Sequence, residues 1–200
     1  MNIWVKRTMV AAGITAALAT PLSGLASDGT ITFTGAVTAS TCDIQIDGAG
    51  TGDGTVSLPT VDTASLSNGA ARTTAAGTFF SVGLSDCAAV ADIGSGPAVA
   101  PTTVQIYFEA GPNVDQVTGG LINTVAGSNV EVNLYNASAA TIVGTQIKPG
   151  TNTNQPVAQT IGALIGTQWF YAGYSTAANG GQAATAGAVS TSITYSLIYN

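Results

Sequence analysis

Apolar and polar residues alternate in short stretches along this chain, and runs of turn residues separate the stretches. In residues 30–37, the side chains of Ile31, Phe33, Gly35 and Val37 share one face of an extended strand, and threonines occupy much of the other face. The same alternation recurs in seven further stretches: residues 42–46, 55–58, 78–84, 103–108, 129–134, 168–174 and 190–199. Residues 155–166 are apolar without a clear period and are interpreted as a loop with a possible strand. About eight short strands without a convincing helical period predict an all-β antiparallel sandwich.

The first 26 residues predict a secretory signal. Lys6 and Arg7 precede an apolar run over residues 8–18, and small residues allow cleavage after Ala26, with Ala19 as a competing position. The alternative is a transmembrane anchor, but the run is shorter than the ~20 residues that span a bilayer. We therefore expect an exported chain with no membrane span.

The charge balance excludes several classes of function. The chain has 4 basic and 10 acidic residues and no histidine. After Arg7, only Arg72 and Lys148 could neutralise phosphates, which argues against a nucleic-acid partner. Histidine-based triads and zinc sites are excluded, and the carboxylates are scattered singly rather than paired as in a glycosidase. We therefore expect no catalytic activity, no cofactor and no metal.

The two cysteines, Cys42 and Cys87, predict a structural disulfide. An exported chain meets an oxidising compartment. The alternative, a reactive or metal-binding thiol pair, lacks a CxxC spacing and a nearby histidine.

Three weaker signals each have a plain structural interpretation beside the functional one. Asp43, Asp47 and Asp53 lie near a glycine-rich loop, but their spacing does not match a calcium-binding loop. Asn136 begins a glycosylation sequon, a short pattern that occurs often by chance. The aromatic run 169–171 fits either a sugar-stacking platform or a core strand.

The order of several motifs resembles the chaperone–usher fimbrial subunits, or pilins. Residues 29–37 followed by Cys42 are similar to the N-terminal extension and first cysteine of type 1 fimbrial major subunits. Residues 80–87 (FSVGLSDC) resemble their second-cysteine strand, and residues 187–200 resemble their C-terminal strand. Residues 107–112 (YFEAGP) are similar to the Bordetella serotype fimbrial subunits.

This resemblance implies an immunoglobulin-like sandwich that lacks its last strand. Residues 1–26 would be the signal peptide, 27–40 a donor-strand extension and 41–200 the pilin domain. In such a subunit a periplasmic chaperone first fills the open groove. At the outer-membrane usher, the extension of the next subunit then replaces the chaperone. The product would be an extracellular surface fimbria that supports adhesion, and the length of the chain favours a shaft subunit over an adhesin.

The resemblance also implies roles for individual residues. In the extension, Ile31, Phe33 and Val37 would fill pockets of a neighbouring subunit, and Gly35 would lie where the groove has no room for a side chain. The residues expected along the acceptor groove are Ile193, Tyr195, Leu197 and Tyr199, and the Asn200 carboxylate would meet basic residues of the chaperone.

Two alternatives stay open at this stage. The N-terminal strand could pair within its own complete sandwich, and the protein could then be a self-contained secreted carbohydrate-binding domain.

Overall fold

The structure is a computed structural model that describes residues 41–69, 77–88, 102–161, 166–176 and 183–200. All of them belong to one unit of the chain, residues 36–200. The predicted signal peptide and the donor residues Ile31, Phe33, Gly35 and Val37 lie outside the described residues.

The described residues form eight strands in two antiparallel sheets, which confirms the all-β prediction. The strands are β1 (Thr41–Ile46), β2 (Gly77–Ala88), β3 (Thr103–Phe108), β4 (Glu131–Ser138), β5 (Ile142–Gln146), β6 (Gln159–Thr160), β7 (Thr167–Ser175) and β8 (Tyr195–Tyr199). The larger sheet has the order β1-β2-β7-β4-β5, and the smaller has the order β6-β3-β8. Two short 3-10 helices, Thr63–Gly69 and Ala139–Thr141, complete the described secondary structure. None of the helices in these segments is long and apolar enough to cross a membrane.

The hydrophobic core lies between the two sheets and follows from the alternation of each strand. In β3, Val104, Ile106 and Phe108 are buried, whereas the residues between them are half-buried. Phe108 meets Phe170 of β7 edge to face, with ring centroids 5.4 Å apart. Phe80 of β2 lies beside Phe170, with centroids 5.3 Å apart. The Phe108–Phe170 contact joins the two sheets, and the Phe80–Phe170 contact lies within the larger sheet; such contacts stabilise the fold beyond what burial contributes.

The predicted disulfide is present and joins the two strands at one side of the larger sheet. Cys42 of β1 is bonded to Cys87 of β2, 45 residues later in the chain. Closing a loop of this length stabilises the fold by roughly 4 kcal/mol in the chain-entropy model.

Several strand predictions match the structure closely, and two are wrong. β3 has the predicted bounds, β1 begins one residue earlier than predicted, and β7 is one residue longer at each end. Residues 55–58 form no strand, and residues 190–194 are not paired as part of β8. Both segments border the same open space, and within the described residues neither has a strand beside it there to pair with. Strand β5 was not predicted, and among the described residues of the ambiguous segment 155–166 only Gln159–Thr160 form a strand, β6.

A loop between β3 and β4 is held against the larger sheet by a close contact at Gly120. A Cβ atom there would collide with the Glu131 carboxylate and lie 2.8 Å from Asn133 Oδ1. The next residue, Leu121, exchanges backbone hydrogen bonds with Val132 of β4, with N–O distances of 2.8 and 3.0 Å. This places the Leu121 side chain in the core at the margin of the groove described next.

Candidate functional site

An open groove of about 770 Å³ runs along the side of the sandwich between two extended segments. One wall is formed by residues 52–58 and the other by residues 189–193 with Tyr195. Its floor is apolar and consists of side chains that also form the core: Ile46, Phe80, Val82, Phe108, Leu121, Val132, Leu134, Ala172 and Tyr174. The groove therefore opens directly onto the interface between the sheets.

The hydrogen-bond phase of β8 decides which of its backbone groups face this groove. Thr103 and Asn200 exchange both backbone hydrogen bonds, each 2.9 Å long. Bonded and non-bonded pairs alternate along an antiparallel ladder, so the even-numbered residues of β8 direct their N–H and C=O groups towards β3. The odd-numbered residues direct theirs away from β3, along the edge of the smaller sheet. Their side chains lie on the half-buried face.

The same phase continues upstream of β8. The Thr194 carbonyl accepts a hydrogen bond from Glu109 N at 3.0 Å, and the Ser190 carbonyl accepts one from Thr124 N at 2.8 Å. The odd-numbered residues from 189 to 199 point their backbone groups the other way. Among the described residues, none of these N–H and C=O groups has a hydrogen-bond partner. Thr191 Oγ1 is also buried there without a partner. The wall thus presents a row of unpaired groups with strand spacing.

The opposite wall has unpaired backbone donors. Within the described part of the chain, the backbone N–H groups of residues 53–58 donate to no acceptor. The Ser57 carbonyl accepts from the Thr78 hydroxyl at 2.8 Å, which ties this wall to β2. At the other end of the wall, Gly54 packs so closely on Ile46 that a Cβ would collide with its side chain. This explains the wrong strand prediction for residues 55–58: the segment is extended and anchored, but it has no neighbouring strand.

Two tyrosines of β8 close the sandwich beyond one end of the groove. The Tyr195 hydroxyl donates to the Gly52 carbonyl at 2.6 Å and so bridges the two walls. Burial raises the pKa of Tyr195, and the negative charge of Asp53 raises it further. Burial also raises the pKa of Tyr199, and a hydrogen bond with the backbone of Cys42 partly opposes that rise. The open part of the groove therefore lies along residues 189–193.

The residues predicted for the C-terminal strand lie partly in the groove. Ile193 and Tyr195 line it. Leu197 and Tyr199 are half-buried on the same face but pack against the core beyond its closed end. Asn200 pairs through its backbone with Thr103, as described above. The wall residues 52–58 and 189–192 were not predicted as groove residues. Of these, residues 55–58 and 190–192 fell within predicted strands, whereas residues 52–54 belonged to a predicted glycine-rich loop.

The other candidate sites of the sequence have structural explanations. In the predicted aromatic platform, Phe170 and Tyr171 are 1% and 0% exposed, and only Trp169 is half-buried. Asp47 Oδ1 accepts a hydrogen bond from Ser81 N at 2.6 Å. In the described ranges no three acidic or cysteine side chains cluster as a metal site. The amide nitrogen of Asn136 donates to the Asn154 carbonyl at 2.8 Å. These contacts disfavour the sugar-binding alternative.

Sequence relatives of this chain are fimbrial proteins. It is 35% identical to the major fimbrial subunit SMF-1 of Stenotrophomonas maltophilia over 192 residues, which cover 91% of this chain and 98% of the relative. It is 37% identical over 127 residues to the F17 fimbrial protein of Escherichia coli, covering 62% of this chain and 64% of the relative. The serotype 2 fimbrial subunit of Bordetella pertussis is 32% identical over 146 residues, covering 72% and 64% respectively. No protein-family model matches.

Solved structures show the same fold. The P pilus rod subunit PapA aligns with a TM-score of 0.56 at 17% sequence identity, covering 80% of this chain and 99% of PapA. A chain of a chaperone–usher pilus aligns with a TM-score of 0.54 at 19% identity, covering 87% of this chain and 96% of that one.

Proposed function

This chain belongs to the fimbrial subunit family and is a structural pilus subunit, and we propose that it polymerises by inserting residues 27–40 of one copy into the groove of the next. The resemblance seen in its motifs is thereby confirmed. Because the extension of one copy fills the groove of another in this proposal, the contact is heterologous, and repetition produces a filament rather than a closed dimer.

The observation that carries this proposal is the combination of a backbone edge unpaired among the described residues with the apolar floor of an open groove. A buried or half-buried backbone group without a partner is costly, and an added strand supplies the missing partners along the whole edge. The unpaired groups of residues 189–193 recur every second residue, which is the repeat of a β-strand. An extended segment with alternating apolar side chains fits both features at once.

The N-terminal extension has the pattern that such a groove requires. Ile31, Phe33 and Val37 recur on one face, and burying each stabilises the filament by roughly 1.5–3 kcal/mol. These values are upper estimates, because a free extension already hides part of its surface. Gly35, on the same face, lies in this arrangement where the groove leaves no room for a side chain.

The same groove accounts for the remaining partners in the proposal. A periplasmic chaperone occupies it before assembly, and the exchange for the next subunit takes place at an outer-membrane usher. Asn200, at the end of β8, contacts the chaperone. The assembled subunit is extracellular, in a cell-surface fimbria that supports adhesion, and its role there is structural rather than catalytic.

Thermal unfolding of two proteins tests this function. The first contains residues 38–200, and the second adds a copy of residues 28–40 after residue 200 on a flexible linker. We expect the added strand to raise the melting temperature by more than about 10 °C, because three apolar side chains become buried and each kcal/mol shifts a domain of this size by roughly 2–4 °C. Circular dichroism follows the transition.

The matched control carries the same added segment with serine in place of Ile31 and Phe33. It keeps the backbone donors but loses most of the apolar surface, so its melting temperature should stay close to that of the protein without the segment. Equal, high melting temperatures for all three proteins would show a complete sandwich and would contradict donor-strand exchange.

A further inference from the structure

Two asparagine side chains form hydrogen bonds with the backbone of the segment that leads into the groove wall. Asn123 Nδ2 donates to the Ala188 carbonyl at 3.0 Å, and its Oδ1 accepts from Ser190 N at 2.9 Å. Asn129 repeats this arrangement five residues earlier in the segment. Its Nδ2 donates to the carbonyl of residue 183 at 3.0 Å, and its Oδ1 accepts from the N–H of residue 185 at 2.7 Å.

Each asparagine takes the place of a neighbouring strand. Binding the carbonyl of one residue and the N–H of the second residue after it is the pattern by which a single residue of a parallel neighbour pairs with a strand. Residues 183–190 belong to no sheet, so these amides supply hydrogen bonds that a strand would otherwise supply. Thr124 also binds this segment: its N–H and its hydroxyl both donate to the Ser190 carbonyl, at 2.8 and 2.9 Å.

These hydrogen bonds do not involve the backbone groups of the wall that face the groove. The groups that Asn123 binds belong to Ala188 and Ser190, even-numbered residues whose backbone faces away from the groove. Val189 and Thr191, between and after them, line the groove. Asn129 binds residues 183 and 185, which precede the residues that line the groove. Asn123 therefore holds the wall on the side away from the groove, Asn129 holds the segment leading into it, and neither occupies the edge of residues 189–193 to which an added strand would bind.

We propose that Asn123 and Asn129 are positioning residues that hold residues 183–190 in strand geometry before a donor strand arrives. This inference rests on the proposed function, since it concerns the same groove. A wall that is already ordered loses less conformational freedom on binding than a mobile one, and affinity rises accordingly. The groove is thus preformed along its open part, although no sheet includes that part of the wall.

The experiment measures binding of a fluorescein-labelled peptide of residues 28–40 to the full chain, refolded as a monomer, by fluorescence anisotropy. Asn123→Asp and Asn129→Asp keep the shape and the acceptor but replace the amide donor with an oxygen that repels the carbonyl. We expect each to weaken binding about tenfold. The control Asn136→Asp makes the same change at an asparagine whose amide also donates to a carbonyl, away from the groove, and should stay within about twofold of the wild type.

A pH series separates positioning from a general loss of stability. A protonated aspartic acid can again donate to the carbonyl, so Asn123→Asp should recover as the pH falls below about 4, the ordinary pKa range of Asp. The ratio of variant to wild-type dissociation constants, measured at each pH, should approach one. A ratio that stays constant across the series would overturn the proposed hydrogen-bond role.

The outcomes distinguish the two proposals. If the wild-type chain does not bind the peptide, the proposed function fails. If it binds and both variants bind equally well, the positioning role fails while the function stands. Should a variant not fold, amide hydrogen exchange of the wild type decides: we expect protection at residues 185 and 190 with the groove empty, and unprotected amides there would overturn the inference.

Discussion

Removing the Tyr195 hydroxyl tests whether the bridge between the groove walls holds them together. In Tyr195→Phe the ring stays in place, but the Gly52 carbonyl loses a donor at 2.6 Å. A hydrogen bond of this kind contributes about 0.5–1.5 kcal/mol net. The two groups are only half-buried, so water can partly replace the lost donor. We therefore take about 1 kcal/mol as the expected loss in the free energy of unfolding.

Chemical denaturation of wild type and variant measures this difference. A loss of about 1 kcal/mol lowers the melting temperature of a domain of this size by roughly 2–4 °C and lowers the denaturant midpoint without changing its slope. Tyr107→Phe is the matched control. Tyr107 lies on β3 next to β8, and its hydroxyl has no hydrogen-bond partner among the described residues.

The comparison has a clear contrary result. Equal denaturant midpoints for Tyr195→Phe and Tyr107→Phe would show that the bridge contributes nothing to stability and that packing alone closes the sandwich at this end. A lower midpoint for Tyr195→Phe together with weaker binding of the 28–40 peptide would show that the walls act as one unit.

Three further predictions concern other parts of the chain. Gly120→Ala should destabilise the fold by about 1–3 kcal/mol in urea denaturation, because the new methyl group collides with buried side-chain oxygens. The control is Gly111→Ala, which should be nearly neutral because nothing lies within 4 Å of a Cβ at that position. Trypsin digestion of the exported chain should cut after Arg72, since the other basic residue, Lys148, precedes a proline. The cut falls inside the loop closed by the disulfide, so two fragments should separate on a gel only after reduction. Separation without reductant would argue against the disulfide. Burial raises the pKa of four tyrosines: Tyr171, Tyr174, Tyr195 and Tyr199. The stability that they contribute is therefore fully present below their unfolded pKa of about 10 and is lost as the pH rises through their folded pKa. Urea midpoints that stay constant over that pH range would contradict this expectation.

The amino-acid sequence by itself determined the strands whose alternation is local and complete. Residues 103–108 carry three large apolar side chains on one face, and the structure forms β3 with the same bounds. The cysteine pairing was equally accessible, because an exported chain with only Cys42 and Cys87 has one possible bridge. The family was recognisable from the order of its motifs, and the relatives confirm it.

Tertiary structure alone decided which alternating segments become strands. Residues 55–58 alternate as β3 does, and residues 190–194 continue the hydrogen-bond phase of β8. Neither segment is part of a strand, because a strand is completed by hydrogen bonds to a neighbour and the space between these segments is an open groove. The aromatic run depended on tertiary structure in the same way. Alternation predicts that Phe170 and Tyr171 point to opposite faces, but only the packed sandwich shows that both are buried. Burial and pairing depend on what lies opposite a residue, and only the folded chain brings those partners together.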